Sequence, residues 1–259
     1  AWFSFTRSDA MLTVDTEMLN SLYAQSAVTT FGLIAASVYY AFSLAERAKA
    51  ETDAVLRNVL PDSIVERLKA NPGQAISDGF ASASILFADI TGFVALARGL
   101  GPEKTVALLN KLVSTFDALA QRHGVEKIKT IGDAYMVASG IPITRPDHVH
   151  ALANMALDML EAAETVGASA GIPIQIRIGM ASGPMMAGVI GTKKFSYDVW
   201  GDPVNLASRL ESASTPGRIL TCPECREKLG PGYTFESRGV IVVKGVGQQE
   251  AFYLTGRVK

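Results

Sequence analysis

Asp198, Asn205 and Arg209 place a carboxylate, an amide and a guanidinium within one short stretch, Tyr197-Asp-Val-Trp-Gly-Asp-Pro-Val-Asn-Leu-Ala-Ser-Arg209. Asp202-Pro203 is a helix start signal, in which an N-cap residue precedes a proline at the first helical position. The amide and the guanidinium are then four residues apart on one helix face, which suits recognition of a polyphosphate and its sugar. The alternative is an ordinary polar pair on a surface helix.

A second stretch, Ile85-Leu-Phe-Ala-Asp-Ile-Thr-Gly-Phe93, is an apolar run typical of a strand that ends in Asp89, with Thr91-Gly92 as a turn. A carboxylate at the end of a buried strand is costly unless a positive group meets it. Magnesium prefers oxygen ligands and needs only one or two carboxylates where phosphates are also bound. The pattern therefore indicates a metal site at this strand end.

A third stretch, Glu126-Lys-Ile-Lys-Thr-Ile-Gly-Asp-Ala-Tyr-Met136, predicts a hairpin with Gly132-Asp133 at its tip. Lys129 lies four residues before Asp133, and this even offset predicts that the two share a face of a regular strand. A plain turn aspartate is the alternative interpretation of Asp133.

Together the three stretches resemble the class III nucleotidyl cyclases, through the segments FADITGF, KTIGDAYM and YDVWGDPVNLASR in that order. The resemblance covers roughly residues 75–256. Upstream, the segment from Asn58 to Leu68 resembles the entry segment of such enzymes. An uncharged run before it is similar to the transmembrane helix of the membrane-bound adenylate cyclases of mycobacteria and mammals.

The resemblance implies a role for each matching residue. Those implied to bind two Mg²⁺ or Mn²⁺ ions per active site are Asp89, Asp133 and, through its backbone carbonyl, Ile90. The catalytic residues that it implies are Asn205, which orients the ribose, and Arg209, which stabilises the pentavalent phosphorus. Those implied to bind substrate are Lys129 and Asp198 at the purine, the neighbouring Val199, and Lys244 at the terminal phosphates.

Purine choice follows from hydrogen bonding. Adenine offers an acceptor at N1 and a donor at its amino group, which complement a lysine donor and an aspartate acceptor such as Lys129 and Asp198. Guanine reverses this pattern, and guanylate cyclases of the family typically carry glutamate and cysteine there. A mismatch costs about 1–3 kcal/mol for each unpaired buried group. The expected activity is conversion of ATP to 3′,5′-cyclic AMP and pyrophosphate; a guanylate cyclase or a non-catalytic nucleotide-binding signalling module are the alternatives.

The family also implies a second chain. Its metal aspartates and its Asp/Asn/Arg set belong to different active sites, which a head-to-tail dimer joins across its interface. A chain that carries both sets predicts a homodimer with two equivalent sites. The net charge of −1 identifies no partner, and we expect no nucleic acid.

Positions 18–45 carry no charged residue and predict a transmembrane helix at ~1.5 Å per residue across a ~30 Å hydrocarbon core. A buried dimerisation helix is the alternative. Acidic residues precede the run and basic ones follow it, which predicts an extracytoplasmic segment at 1–17 and a cytoplasmic catalytic domain at the cell membrane. The chain opens with Ala1 rather than methionine, and we expect it to be part of a longer protein.

Residues 46–71 predict a charged linker helix that Pro61 interrupts. Its apolar positions recur at spacings of four, three and four, a short coiled-coil seam. They are Ala48, Thr52, Val55 and Val59. A solvated linker helix is the alternative. Asn71-Pro-Gly73 marks the boundary of the catalytic domain, 72–259.

The catalytic segment predicts an α+β domain with a ferredoxin-like β-α-β-β-α-β core. Its expected elements are a strand at 83–90, a helix at 103–123, a hairpin at 125–139, a helix at 147–166 and a strand at 174–182. In the first of these helices the apolar period falls on Val106, Leu109, Val113, Phe116 and Leu119.

Composition agrees with a domain of ordinary core size, since 48% of the 259 residues are hydrophobic. Cys222 and Cys225 have a C-x-x-C spacing, but no second pair follows them. The sequence therefore favours reduced free thiols over a zinc site or a redox pair.

Overall fold

A computed structural model describes residues 15–191, 194–243 and 247–258. The chain divides into two compact units between Asn58 and Val59. The α-helices are α1 Thr16–Arg57, α2 Asp62–Ala70, α3 Phe93–Leu100, α4 Pro102–His123, α5 His148–Ala170, α6 Asp202–Ala213 and α7 Pro223–Leu229. The strands are β1 Ser77–Ile90, β2 Glu126–Ile131, β3 Ala134–Ser139, β4 Ile176–Ile190, β5 Ser196–Trp200, β6 Ile219–Thr221, β7 Tyr233–Val243 and β8 Gly247–Arg257.

Helix α1 runs without a break through the expected span and into the expected linker. Asp15 caps it by accepting a hydrogen bond from the Glu17 N–H at 3.0 Å. Within the described part of the chain, it is the one helix long and apolar enough to cross a membrane, by length and composition. It ends at Arg57, so Val59 of the expected seam lies beyond it.

Pro61 immediately precedes α2, as the interruption at this residue predicts. Leu60 before the helix and Ile64 and Val65 within it are buried. This part of the expected linker therefore belongs to the core of the second unit.

The second unit is a mixed α+β domain built on an eight-stranded sheet. The strand order is β2-β3-β1-β4-β6-β8-β7, with β5 paired to β4 off this path. The β4–β6 pair is parallel, and the other pairs are antiparallel.

The elements expected between 83 and 182 are all present, and the boundaries of two strands differ. β1 begins at Ser77 and β4 continues to Ile190, because the two extra lengths pair with each other at Ser77 and Gly188. β4 also pairs with β5 there, with Met186 opposite Trp200. The glycines and the proline in this part of β4 have low strand propensity, so the sequence did not predict the extension. Pairing with residues far along the chain stabilises it. Helix α3 was not predicted.

The buried stripe of α4 differs from the predicted one. Val106 is 65% exposed. The buried positions are Thr105, Leu108, Leu112, Phe116, Leu119 and Ala120. The period was right and its phase was partly wrong, because several adjacent apolar residues allow more than one stripe and the packing partner selects among them.

Helices cover both faces of the sheet. Phe116 of α4 packs edge-on against Tyr135 of β3, with ring centroids 5.5 Å apart. α6 packs against β4 at Gly179, where an added Cβ would lie 2.2 Å from the Ala207 carbonyl oxygen. Tyr135 and Gly179 project to opposite faces, since Gly179 pairs with Phe87 and Tyr135 with Ala88, the next residue of β1. The glycine thus lets α6 lie close to the sheet.

Candidate active site

The structure brings Asp89 and Asp133 together at one edge of the sheet. Asp89 is the penultimate residue of β1, and Asp133 lies in the two-residue turn between β2 and β3. β1 and β3 are neighbours, with Ala88 paired to Tyr135. Burial, and then the charge and hydrogen bonding of Asp89, raise the pKa of Asp133. Two carboxyls that oppose each other's ionisation form a site that a cation would stabilise.

Arg177 supplies a positive charge at this edge. It lies opposite Asp89 in the β1–β4 register. Its Nη2 donates to Asp89 Oδ2 at 2.8 Å and lies 3.1 Å from Glu211 Oε1 on α6. One guanidinium therefore stands between a carboxylate of the sheet and a carboxylate of the helix.

Glu211 is 8% exposed, and burial, followed by the charge of Asp89, raises the pKa of its carboxyl. Its contact with Arg177 lacks hydrogen-bond geometry, so within the described ranges Glu211 Oε1 and Arg177 Nε have no hydrogen-bond partner. The cluster holds three acidic side chains against one cation. Its charge favours further positive groups at Asp89 and Asp133.

Sequence reasoning missed Arg177 and Glu211. Arg177 stands between Ile176 and Ile178, both buried on β4, and a charge in such a strand needs a partner. That signal was available. The identity of the partner was not, because Glu211 lies 34 residues further along the chain (211 − 177) on a different element.

The residues at this edge fit divalent cations of the magnesium type. Magnesium takes one or two carboxylates and completes its shell with phosphate and water oxygens. Asp89 and Asp133 provide that number. Among the residues that the structure describes, no three His, Cys, Asp or Glu side chains form a group that could hold a metal by itself. Phosphate and water oxygens would complete the coordination shell of a metal at this edge.

Lys129 and Asp198 form a separate pair. Lys129 Nζ donates to Asp198 Oδ2 at 2.5 Å, and the N–H of Val199 donates to Asp198 Oδ1 at 2.9 Å. The Asp198 side chain is 17% exposed and that of Lys129 is 36% exposed. A donor and an acceptor thus stand side by side where a ligand can reach them. The side chain of Val199 is buried, so at this pair it contributes its backbone.

The prediction that Lys129 and Asp133 share a strand face assumed that a regular strand contains both residues. β2 has a register shift between Lys127 and Lys129 and ends at Ile131, which leaves Asp133 in the turn. An even offset specifies a face only within a regular strand. In the structure Lys129 contacts Asp198, and Asp133 interacts with Asp89.

Asn205 and Arg209 lie in α6, four residues apart, as predicted. Both are exposed, and neither side chain makes a hydrogen bond or ion pair with another described residue. Glu211, two residues after Arg209, is buried against the sheet because positions two apart on a helix face different ways. Helix α6 therefore presents one polar face to the Asp89 cluster and another to solvent.

The start of α6 differs from the prediction by one residue. The helix begins at Asp202, and its N-cap is Gly201 with a φ of 147° rather than Asp202. An added Cβ at Gly201 would lie 3.0 Å from the Pro184 carbonyl oxygen of β4. The close approach of β4 therefore favours glycine at this position. Lys244, the expected terminal-phosphate residue, lies outside the described residues.

A two-carboxylate edge, a lysine–aspartate pair and an outward-facing amide and guanidinium are the groups a metal-dependent nucleotide-binding domain needs. Comparison with known proteins agrees. Residues 76–256 match the family described as the adenylate and guanylate cyclase catalytic domain. The chain belongs to this family.

An adenylate cyclase of Mycobacterium tuberculosis (strain ATCC 25618 / H37Rv) is 44% identical over 242 residues, covering 91% of this chain and 55% of that relative. The chain thus spans about half the length of this curated relative. The guanylate cyclase domain of RhGC from Catenaria anguillulae, solved with GTP, has a TM-score of 0.68 at 36% identity, covering 70% of this chain and 100% of that one. The adenylyl cyclase CyaB from P. aeruginosa has a TM-score of 0.68 at 28% identity, covering 71% and 97%.

Proposed function

We propose that this chain is an adenylate cyclase that converts ATP to 3′,5′-cyclic AMP and pyrophosphate. The observation that carries the proposal is the contact between Lys129 Nζ and Asp198 Oδ2 at 2.5 Å. A lysine donor beside an aspartate acceptor complements adenine N1 and the adenine amino group. Guanine would place its own donor and acceptor against groups of the same kind, at about 1–3 kcal/mol for each unpaired group. The mycobacterial relative described above supports the same substrate.

Two chains would form each active site. The side chains of Asn205 and Arg209 are exposed and have no hydrogen-bond or ion-pair partner among the described residues, whereas Asp89 and Asp133 face each other elsewhere on the same chain. Within the described ranges, no hydrogen bond or ion pair joins the side chains of these two sets. A head-to-tail homodimer supplies what each set lacks, because the exposed α6 face of one chain can approach the sheet edge of the other.

Asp89, Asp133 and the carbonyl of Ile90 would hold two Mg²⁺ or Mn²⁺ ions. Such a pair supplies neutralisation of the leaving pyrophosphate and activation of the 3′-hydroxyl. Arg177 keeps the Asp89 carboxylate in one orientation. Glu211 in turn restrains the guanidinium of Arg177.

The outward face of α6 would act on the rest of the nucleotide. Asn205 orients the ribose so that the 3′-hydroxyl points at the α-phosphorus. Arg209 meets the negative charge that grows on the phosphoryl oxygens in the transition state, and a group that binds this charge more strongly than the ground state accelerates the reaction. Lys244 remains the candidate for the terminal phosphates.

The finer fold assignment rests on strand order. The strand order β2-β3-β1-β4, with α4 and α5 as connecting helices, supports the proposal of a ferredoxin-like core. In this arrangement β1 and β3 are neighbours, which places Asp89 beside the turn that carries Asp133.

The N-terminal helix would anchor the enzyme in the cell membrane through 18–45, with the catalytic domain in the cytoplasm. Support comes from the length and composition of α1 and from the basic residues that follow the uncharged run. Val55 on α1 is 65% exposed, and a parallel partner helix along 46–57 would cover it.

The test is a comparison of ATP and GTP as substrates for the full chain in detergent, with Mn²⁺ or Mg²⁺. We expect cyclic AMP from ATP and a lower kcat/KM for GTP by at least about tenfold, the equivalent of one mismatch near 1.4 kcal/mol. A preference for GTP would establish the guanylate cyclase alternative. No turnover of either nucleotide by folded dimer would support the non-catalytic signalling module.

A further inference from the structure

Cys222 and Cys225 lie side by side at the start of α7. Cys222 immediately precedes the helix, Pro223 is its first residue and Cys225 lies in its first turn. Their sulfurs are 3.5 Å apart, and both residues are free and buried. The nucleotide chemistry described above uses neither thiol.

The two thiols have unlike surroundings. In the neutral pair the Cys222 thiol donates to the Cys225 sulfur. Hydrogen bonding with Cys225 lowers the pKa of Cys222 against the opposing effect of burial, and the Ser182 N–H adds to this lowering. Burial raises the pKa of Cys225, whose thiol also points to the Met180 carbonyl oxygen at 4.0 Å. One sulfur is thus favoured as the thiolate, and the other supplies its hydrogen bond. This is the division of roles that C-x-x-C dithiols use.

We propose that Cys222 and Cys225 form a redox-active dithiol, which hydrogen peroxide converts into an intramolecular disulfide. The Cys222 thiolate attacks one peroxide oxygen, the O–O bond breaks, and Cys222 becomes a sulfenic acid as hydroxide leaves. Cys225 sulfur then attacks Cys222 sulfur, and the sulfenic oxygen leaves as water with the Cys225 proton. In sum, two thiols and one peroxide give one disulfide and two waters.

The geometry permits this second step. A disulfide requires sulfurs about 2.05 Å apart, so the pair must close by roughly 1.5 Å. Cys222 is the N-cap of α7 and has an extended backbone (φ −81°, ψ 163°), whereas Cys225 lies in the first helical turn. The Cβ atoms of a disulfide lie about 3.5–4.5 Å apart, so closure requires rotation of the two side chains together with a small adjustment of the backbone at this N-cap, and it leaves the later turn of α7 in place.

Burial selects the class of oxidant. Cys222 is 1% exposed, so a bulky disulfide reagent has no room to form a mixed intermediate. A peroxide of two heavy atoms needs far less space. Pro223 and Arg226 of α7 line an open groove of about 640 Å³, which brings solvent to the outer side of the thiol-bearing turn. The competing interpretation is a pair of inert structural thiols.

The test treats the reduced full chain in detergent with hydrogen peroxide, then unfolds it and counts thiols. The chain has two cysteines. We expect the titratable thiols to fall from two to none, the intact mass to fall by two hydrogens, and dithiothreitol to reverse both changes. Two thiols that survive peroxide, or losses only to sulfinic acid or to linkage between chains, would overturn the proposal.

Single substitutions test the order of events. In Cys225→Ser the partner is removed and Cys222 should accumulate as a sulfenic acid, which dimedone labels. In Cys222→Ser the remaining Cys225 should stay reduced under the same exposure. Equal labelling of the two variants, or labelling of Cys225 alone, contradicts the assignment of Cys222 as the attacking sulfur.

Discussion

Arg177 on β4 donates to the carboxylate of Asp89 on β1 at 2.8 Å and lies 3.1 Å from Glu211 on α6. The guanidinium thus connects the proposed metal edge with the helix that carries Asn205 and Arg209. In the proposed dimer those two residues act in one active site and Asp89 acts in the other. In that dimer, a displacement of α6 at one active site would act through Glu211 and Arg177 on the Asp89 carboxylate of the other active site.

Removal of either edge carboxylate should abolish catalysis without unfolding the domain. We expect Asp89→Ala or Asp133→Ala to lower cyclic AMP formation by orders of magnitude, because each leaves the proposed cation pair with one carboxylate. The circular dichroism spectrum and the thermal midpoint of unfolding should change little. Glu161→Ala, at an exposed position on α5, is the control. Activity near that of the unmodified chain in either aspartate variant would remove the two-metal hypothesis.

Exchange of the purine pair should weaken nucleotide selectivity. Lys129→Glu combined with Asp198→Cys replaces the donor and acceptor that complement adenine, and each lost match is worth about 1–3 kcal/mol. The ratio of kcat/KM for ATP to that for GTP should fall accordingly. Lys127→Glu is the matched control, since Lys127 lies two residues earlier on the same strand and pairs with Asp117 at 2.7 Å. An unchanged ratio in the double variant means that these residues do not contact the base.

Mixed dimers should recover activity that neither parent has. Asp89→Ala and Arg209→Ala homodimers lose both sites, whereas a heterodimer concentrates the two lesions in one site and leaves the other complete. Random exchange of equal amounts makes about half of the dimers mixed, so about a quarter of the unmodified activity should return. Verified heterodimers that remain as inactive as the parents would show that one chain builds a whole site.

Glu126 should make stability depend on pH. Burial, followed by the charge of Asp62, raises the pKa of the Glu126 carboxyl from 4.5 to about 7. The folded state therefore holds its proton at pH values where the unfolded chain has lost it. Protonation of Glu126 therefore adds at most about 3 kcal/mol to the free energy of unfolding. This contribution is fully present below about pH 4.5 and is lost as the pH rises through about 7.

Glu126→Gln stays neutral throughout, so its thermal midpoint should fall less than that of the unmodified chain across this range. Glu103→Gln, at an exposed position on α4, should follow the unmodified chain. Parallel pH profiles for Glu126→Gln and the unmodified chain contradict the assignment.

Deletion of residues 1–58 should weaken dimerisation while preserving the catalytic fold. The cut follows the boundary between the two units and keeps α2, whose Ile64 and Val65 are buried. We expect specific activity to be low in dilute solution and to rise with protein concentration, because the proposed helix pairing along 46–57 is gone. Equal specific activity of the long and short chains at every concentration would exclude that role.

The sequence alone determined the local placement of the reactive groups. Asp89 at the end of a strand, Asp133 in a two-residue turn, and Asn205 with Arg209 on one helix face were predicted and observed. These features depend on strand and helix periodicity and on turn chemistry, which neighbouring residues set. The resemblance to nucleotidyl cyclases then assigned Lys129 and Asp198 to one pair.

Only the tertiary structure decided which charges meet. Arg177 and Glu211 were overlooked because their partnership spans separate elements, and α4 turned inward a stripe that its own sequence left ambiguous. Gly179 admits α6 to the sheet, and that close approach brings Glu211 to Arg177. A chain's local preferences specify which face a residue occupies within its own element. The distance to a group on another element depends on how the elements pack, since a contact of 2.5–3.1 Å is set by backbone positions far apart in sequence.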